Sequence, residues 1–167
     1  MDGISAATPS DERYGPAPDR LPFERGTDGP RVIVVGIDGS PTSMRAASYA
    51  CGLARRQRCQ LVVIYVTSPA YWTATVSGVV ADAQEKTFHE LNADLRDEVR
   101  RTAEEHCVPT TFMTRRGDPY TELRGMSDRM KADLVVVGLS TQAGHRFVGS
   151  IATRLARLGR WPVVIVP

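Results

Sequence analysis

The feature that most constrains this chain is an apolar run, Leu134 to Val137, that stops at Gly138 and gives way to a loop holding Gly144 and Gly149 before a helical pattern restarts. The run shows no polar alternation and three of its residues are β-branched valines, which suits a strand covered on both faces, as in a parallel sheet. Such a strand needs a layer of structure above it and another below. The two loop glycines allow positive φ or close backbone approach, and Ser150 suits the N-cap of a helix from about Ile151 to Leu158. A helix N-terminus offers unpaired N–H groups and the positive end of a dipole, so the stretch is a candidate anion site.

The rest of the chain supplies the layers. Val32 to Val35 form a first buried strand that runs into Gly36, Ile37, Asp38 and Gly39, and Ser40 and Pro41 look like an N-cap and first helical residue. A helix from about Pro41 to Gln57 places Met44, Ala47, Cys51 and Ala54 on one face. Leu61 to Val66 is a second strand, and a long amphipathic helix follows from about Val79 to His106. Thr110 to Thr114 alternates as a third strand, Gly117-Asp118-Pro119 opens a helix to about Met130, the run at Leu134 is the fourth strand and Val163 to Val166 the fifth. This alternation predicts an α/β layer structure with parallel strands and right-handed crossovers. No internal repeat interrupts it.

The 167 residues, 42% of them hydrophobic, suit one domain with an appendage. Residues 1–30 contain five prolines and four glycines, so they are expected to form a flexible tail, with the domain over residues 31–167. A net charge of +2 gives no chain-wide argument for nucleic acid or an anionic membrane. No apolar run approaches the roughly 20 residues of a spanning helix, and Asp2, Asp11 and Glu12 stand where a signal peptide would be apolar. The expected location is cytoplasmic. Three cysteines without CxxC spacing fit reduced thiols better than a disulfide framework or a zinc site.

In open α/β sheets, ligands sit outside the carboxyl ends of strands where the strand order reverses. Two segments qualify: Gly36 to Ser40, which includes Ile37 and Asp38, and Gly138 to Ser150. If their strands are neighbours, Asp38 can accept a hydrogen bond from a ribose hydroxyl or base amino group while backbone near Gly138, Gly149 and Ser150 holds phosphate. The plainer alternative for Asp38 is a turn residue in an Asp-Gly pair. The heptapeptide from Gly144 to Ser150, GHRFVGS, has the glycine frame of a P-loop but no lysine before the serine, so it is not a Walker A motif. His145 and Arg146 can neutralise phosphate or simply be solvated. No GxGxxG, GxSxG or HExxH signature appears, and His89 and His106 have no partner at motif spacing. Nothing assigns a general base, so at most slow hydrolysis of a bound nucleotide is expected.

With these residues placed, the chain from Arg31 to Pro167 resembles the universal stress protein (UspA-like) family. The resemblance rests on VIVVGIDGSPTS, LVVIYV, Gly117-Asp118-Pro119, ADLVVVG and WPVVIVP. It implies an open, doubly wound sheet of five parallel strands in the order 3-2-1-4-5, with helices on both faces, of the adenine nucleotide alpha hydrolase-like kind. It also implies a homodimer built by pairing the last strands, here Val163, Val164, Ile165 and Val166, and an as yet unknown regulatory protein partner. Many members bind ATP; a resembling site uses Asp38 for the nucleoside, the backbone at Val66 for adenine, and Gly138, Gly149, Ser150 and Ile151 for ribose and phosphates. This sequence departs from the family pattern of glycine, two residues, glycine, nine residues, then glycine and serine or threonine. Thr141 stands at the second glycine, and Gly149-Ser150 arrives two residues early. Gly144, His145 and Arg146 either rebuild a shorter cradle or the loop closes. The resulting expectations are ATP with magnesium first, cyclic AMP as an alternative because a short loop suits one phosphate, and a nucleotide-free dimeric docking module as a third.

Overall fold

In the structure, a computed structural model, residues 10–17, 29–67, 78–139 and 150–167 are described. The strands and helices run β1 (Ser10–Tyr14), β2 (Val32–Ile37), α1 (Pro41–Gln57), β3 (Gln60–Thr67), α2 (Gly78–Glu105), β4 (Thr110–Arg116), α3 (Pro119–Arg129), β5 (Leu134–Gly138), α4 (Ser150–Leu158) and β6 (Val163–Val166). All six strands join one sheet, in the order β1-β4-β3-β2-β5-β6.

The apolar runs are continuous because each serves two cores. Alternate residues of a strand point to opposite faces. Ile33, Val35, Leu61, Val63, Phe112, Leu134 and Val136 therefore pack on one side with Ala46, Ala50 and Ala54 of α1 and Leu95 and Val99 of α2. Val34, Val62, Ile64, Met113, Val135 and Val137 pack on the other with Leu123 and Met126 of α3 and Ala152 and Leu155 of α4. A strand covered on both faces has no position for a polar residue, which is why the sequence shows no alternation there.

Three expectations need correction. The sheet has six strands, not five, and it is mixed: β2 to β6 are parallel where they pair, while β1 pairs antiparallel with β4, Ser10 opposite Thr114 and Tyr14 opposite Thr110. Counted from β2, the other five lie in the order 3-2-1-4-5. The extra strand comes from within residues 1–30, expected to be a flexible tail. Its five residues carry no proline or glycine, which is room enough for a short edge strand between Pro9 and Gly15. The face of α1 is also turned from its expected centre. Ala46, Ala50 and Ala54 are fully buried, whereas Met44 and Ala47 lie only partly buried at the flank. A stripe of alanines brings the helix close to the sheet, and the sheet answers with a glycine at Gly138, described below.

At the amino end of the sheet one side chain ties β2 to β5. Asp133 Oδ2 accepts from the Arg31 and Val32 amides at 2.9 and 3.1 Å, and the Asp133 amide donates to the Val32 carbonyl at 2.9 Å. The start of β2 is thereby fixed against the start of β5. Asp133→Ala leaves two amides without this acceptor and is expected to lower the unfolding free energy by about 1–3 kcal/mol, read as a lower urea midpoint at unchanged slope. Among the described residues no helix is long and apolar enough to cross a membrane, and no group of three or more His, Cys, Asp or Glu side chains is placed to hold a metal ion. Cys51 and Cys59 are buried free thiols and Cys107 an exposed one.

Candidate functional site

The tight turn from β2 into α1 is built by its own side chains. Ser40 caps α1, its hydroxyl accepting from the Ser43 amide at 3.2 Å, and Pro41 occupies the first helical position, where a missing N–H costs nothing. The Ser43 hydroxyl accepts from the Asp38 amide at 3.2 Å and donates to the Ser40 carbonyl at 3.0 Å. Asp38 Oδ1 in turn accepts from the Ser40 amide at 2.9 Å. Gly39, between them, sits at φ +82°, a conformation that favours glycine. Asp38 is thus a braced turn residue, and its bracing also prepares it as an acceptor.

Burial of the Asp38 carboxyl by neighbouring atoms pushes its pKa up, although the residue is exposed overall. Hydrogen bonds from Ser40, from Ser43 and from the backbone outweigh that effect and hold it below the ordinary 3.8. The group is therefore ionised at neutral pH. A carboxylate has about four acceptor positions, so bracing by Ser40 leaves room for a ligand hydroxyl or amino group.

The condition for a shared crevice is met, because β2 and β5 are hydrogen-bonded neighbours with Gly36 opposite Val137. The strand order reverses between them: β3 and β4 follow to one side of β2, β5 and β6 to the other. Asp38 and Gly138 stand at the carboxyl ends of this pair, and Val66 lies near the carboxyl end of β3, beyond the Ile37–Tyr65 pairing. Gly138 has a packing reason of its own. A Cβ there would lie 2.6 Å from Thr42 C and 2.7 Å from Ser43 N, so glycine lets the first turn of α1 press against the strand end.

The other candidates divide. Ile37 is buried in the first core and Ile151 packs partly buried against the second, so each has only its backbone to offer a ligand. Val66 is likewise partly buried against the second core. Ser150 begins α4, which places a helix start near the carboxyl end of β5 in sequence. Gly144, His145, Arg146 and Gly149 lie outside the described residues. His89, on α2, and His106, just beyond it, are exposed.

Tyr65 is the residue that strand periodicity does not single out. It is 2% exposed, and burial first, then the Asp38 charge, raises its pKa, so its phenol stays neutral beside the carboxylate. Thr42 and Ser43 are similarly hidden as site residues, both buried beneath the turn. Their signal in the sequence is the Ser-Pro-Thr-Ser run, which packs three hydroxyls into one N-cap. The site as built offers an oriented negative acceptor, strand-end backbone and hydroxyls. Among the described residues no nucleophile is paired with a base there.

The sequence model of the Universal stress protein family matches residues 30–167. Universal stress protein Rv1636 of Mycobacterium tuberculosis is 29% identical over 144 residues, covering 81% of this chain and 95% of that protein. Among solved structures, universal stress protein UspA from Lactobacillus plantarum superposes with a TM-score of 0.66 at 20% identity, covering 81% of this chain and 97% of its own. A universal stress protein crystallised in complex with cAMP is 30% identical with a TM-score of 0.58, covering 82% of this chain and 96% of its own. The matched span takes in β2 through β6 with all four helices, and the chain belongs to the universal stress protein family.

Proposed function

We propose that this chain is an adenine-nucleotide-binding stress regulator, with the nucleotide at the carboxyl ends of β2, β3 and β5. The observation that carries this reading is the ionised, braced Asp38 beside Gly138 at the reversal of strand order, where α/β sheets place their ligands. Asp38 accepts from the ribose or the base. Backbone at Val66 faces the adenine, and Gly138 with the start of α4 lies toward the phosphates. The 30% identical relative with bound cAMP supports an adenine nucleotide as the ligand class.

ATP with magnesium is the first reading, the metal being brought by the nucleotide's own phosphates. Cyclic AMP is the second, and two observations favour it: the cAMP complex of that relative and a glycine loop two residues short of the family pattern. A cytoplasmic setting, where both nucleotides are available, belongs to the same reading. Titration calorimetry with ATP, ADP and cAMP, with and without magnesium, on tag-free protein first checked for carried-through nucleotide, tests it. Micromolar ATP affinity that needs magnesium supports the first reading, and cAMP that ATP displaces poorly supports the second. Failure of all three to bind at millimolar concentration, in folded and empty protein, overturns both and leaves a nucleotide-free docking module.

Assembly is the other half of the proposal. β6 is the outermost strand on its side of the sheet, and its Ile165 is 38% exposed. An open, apolar edge strand invites pairing, and the same strand of a second copy satisfies it symmetrically. Light scattering behind size exclusion is expected to give a dimer for the native chain. Ile165→Lys is expected to shift it to monomer at the same concentration, and a native monomer at high concentration would contradict this arrangement.

A further inference from the structure

The outer edge of β4 is occupied by a segment of the chain that lies outside the family domain. Residues 10–14 precede the matched span of residues 30–167, so the family's own strands leave β4 outermost, and β1 is an addition to them. The addition is held by identifiable groups on both faces. On the α2 face, Glu12 Oε1 lies 2.7 Å from Arg96 Nε, the Tyr14 hydroxyl donates to Glu12 Oε2, and the Tyr14 ring packs partly buried against the first core. On the other face Asp11 Oδ1 lies 2.6 Å from Arg115 Nη2, whose side chain is only 13% exposed. Arg115 is also fixed from within, Nη1 donating to the Thr114 carbonyl at 2.8 Å.

The segment is thus strand-shaped and charge-matched, each of its two carboxylates meeting an arginine of the domain.

We propose that the β4 edge, with Arg96 and Arg115, is an acceptor site for an extended acidic peptide of a partner protein, and that residues 10–14 are its tethered, competing occupant. The pattern of the resident segment defines the ligand: two adjacent acidic residues, which a strand sends to opposite faces, and an aromatic residue two positions after the second. Backbone pairing supplies affinity and the two arginines supply selection. A tethered segment competes at an effective concentration on the order of millimolar, so it keeps the site closed to weak or wrongly charged peptides.

The test uses the full chain and a labelled peptide with the sequence of residues 8–16, TPSDERYGP. Fluorescence anisotropy is expected to show the Asp11→Lys/Glu12→Lys double variant binding this peptide at least tenfold more tightly than the native chain. A control peptide with lysine at both acidic positions is expected not to bind. Failure of the folded double variant to bind at millimolar peptide overturns the proposal, as does equal binding of the control. Should the double variant not fold, hydrogen exchange on the native chain decides. Millimolar peptide is then expected to speed exchange at Asp11–Tyr14 while Thr110–Thr114 stay protected, and unchanged exchange at Asp11–Tyr14 overturns the proposal.

Discussion

Gly138→Ala is expected to destabilise the fold by about 1–3 kcal/mol. The added methyl would sit 2.6 Å from Thr42 C, 2.7 Å from Ser43 N and 2.8 Å from Thr42 O. These are backbone atoms in the first turn of a helix, so they cannot swing aside as the end of a long side chain would. Relief requires α1 to move away from β5, which opens the packing of Ala46, Ala50 and Ala54 along its whole length. Urea denaturation should show a lower midpoint at an unchanged slope. Gly125→Ala is the matched control: a Cβ on this exposed position of α3 meets nothing within 4 Å, and removing a mid-helix glycine should stabilise by about 0.5–1 kcal/mol. Equal stability of Gly138→Ala and the native chain would mean that the helix seats more loosely than its contacts indicate. Nucleotide affinity should fall with stability, because the displaced turn is the one that braces Asp38.

Asp38→Asn is expected to weaken nucleotide binding by about 10- to 100-fold, the loss of a hydrogen bond to a charged acceptor. Asparagine keeps an oxygen to accept from the Ser40 amide, so the turn survives and the thermal midpoint should move little. Calorimetry on the two proteins separates a lost acceptor from a lost fold, and an asparagine variant that binds as well as the native chain would remove Asp38 from the site. The pH dependence carries its own sign. Burial opposes ionisation of this carboxyl, but its hydrogen bonds prevail and lower the pKa below 3.8. Its contribution to stability is therefore present above the ordinary carboxylate range and is lost as the pH falls through the lowered value. Native affinity should hold down to about pH 5 and decline only below pH 4, with the asparagine variant as reference for protonation of the nucleotide itself.

Much of the scaffold was legible because the strands are runs of valine, leucine and isoleucine, and such runs have few alternatives when helical patterns alternate with them. Asp38 and Gly138 were legible for the same reason: each ends a buried strand, and their strands do lie side by side. What escaped depends on contacts between residues distant in sequence. The strand at Ser10–Tyr14 is polar, so periodicity gives no signal, and the groups that hold it, Arg96 and Arg115, lie more than 80 residues away. The buried stripe of α1, Ala46, Ala50 and Ala54, also has helical spacing, but alanines give a weak apolar signal beside Met44, which pulled the expected face aside. Tyr65 looked like one more apolar strand residue until the register set it against Ile37, beside the charged turn. Gly138 was readable as the glycine that ends a strand, but its contact with α1 belongs to the tertiary structure alone.

Covering the β4 edge also limits growth. A sheet with two open edges can add copies at both, and nothing in strand pairing itself ends such a filament. Here β1 takes over as the outermost strand on one side, and it is short and charged, SDERY, which makes it a poor template for further pairing, whereas β6 at the other side is apolar. Once β6 pairs with another β6, each copy presents outward only the charged β1, so association through strands is disfavoured beyond two. The polar residues of β1 therefore act as a brake on polymerisation.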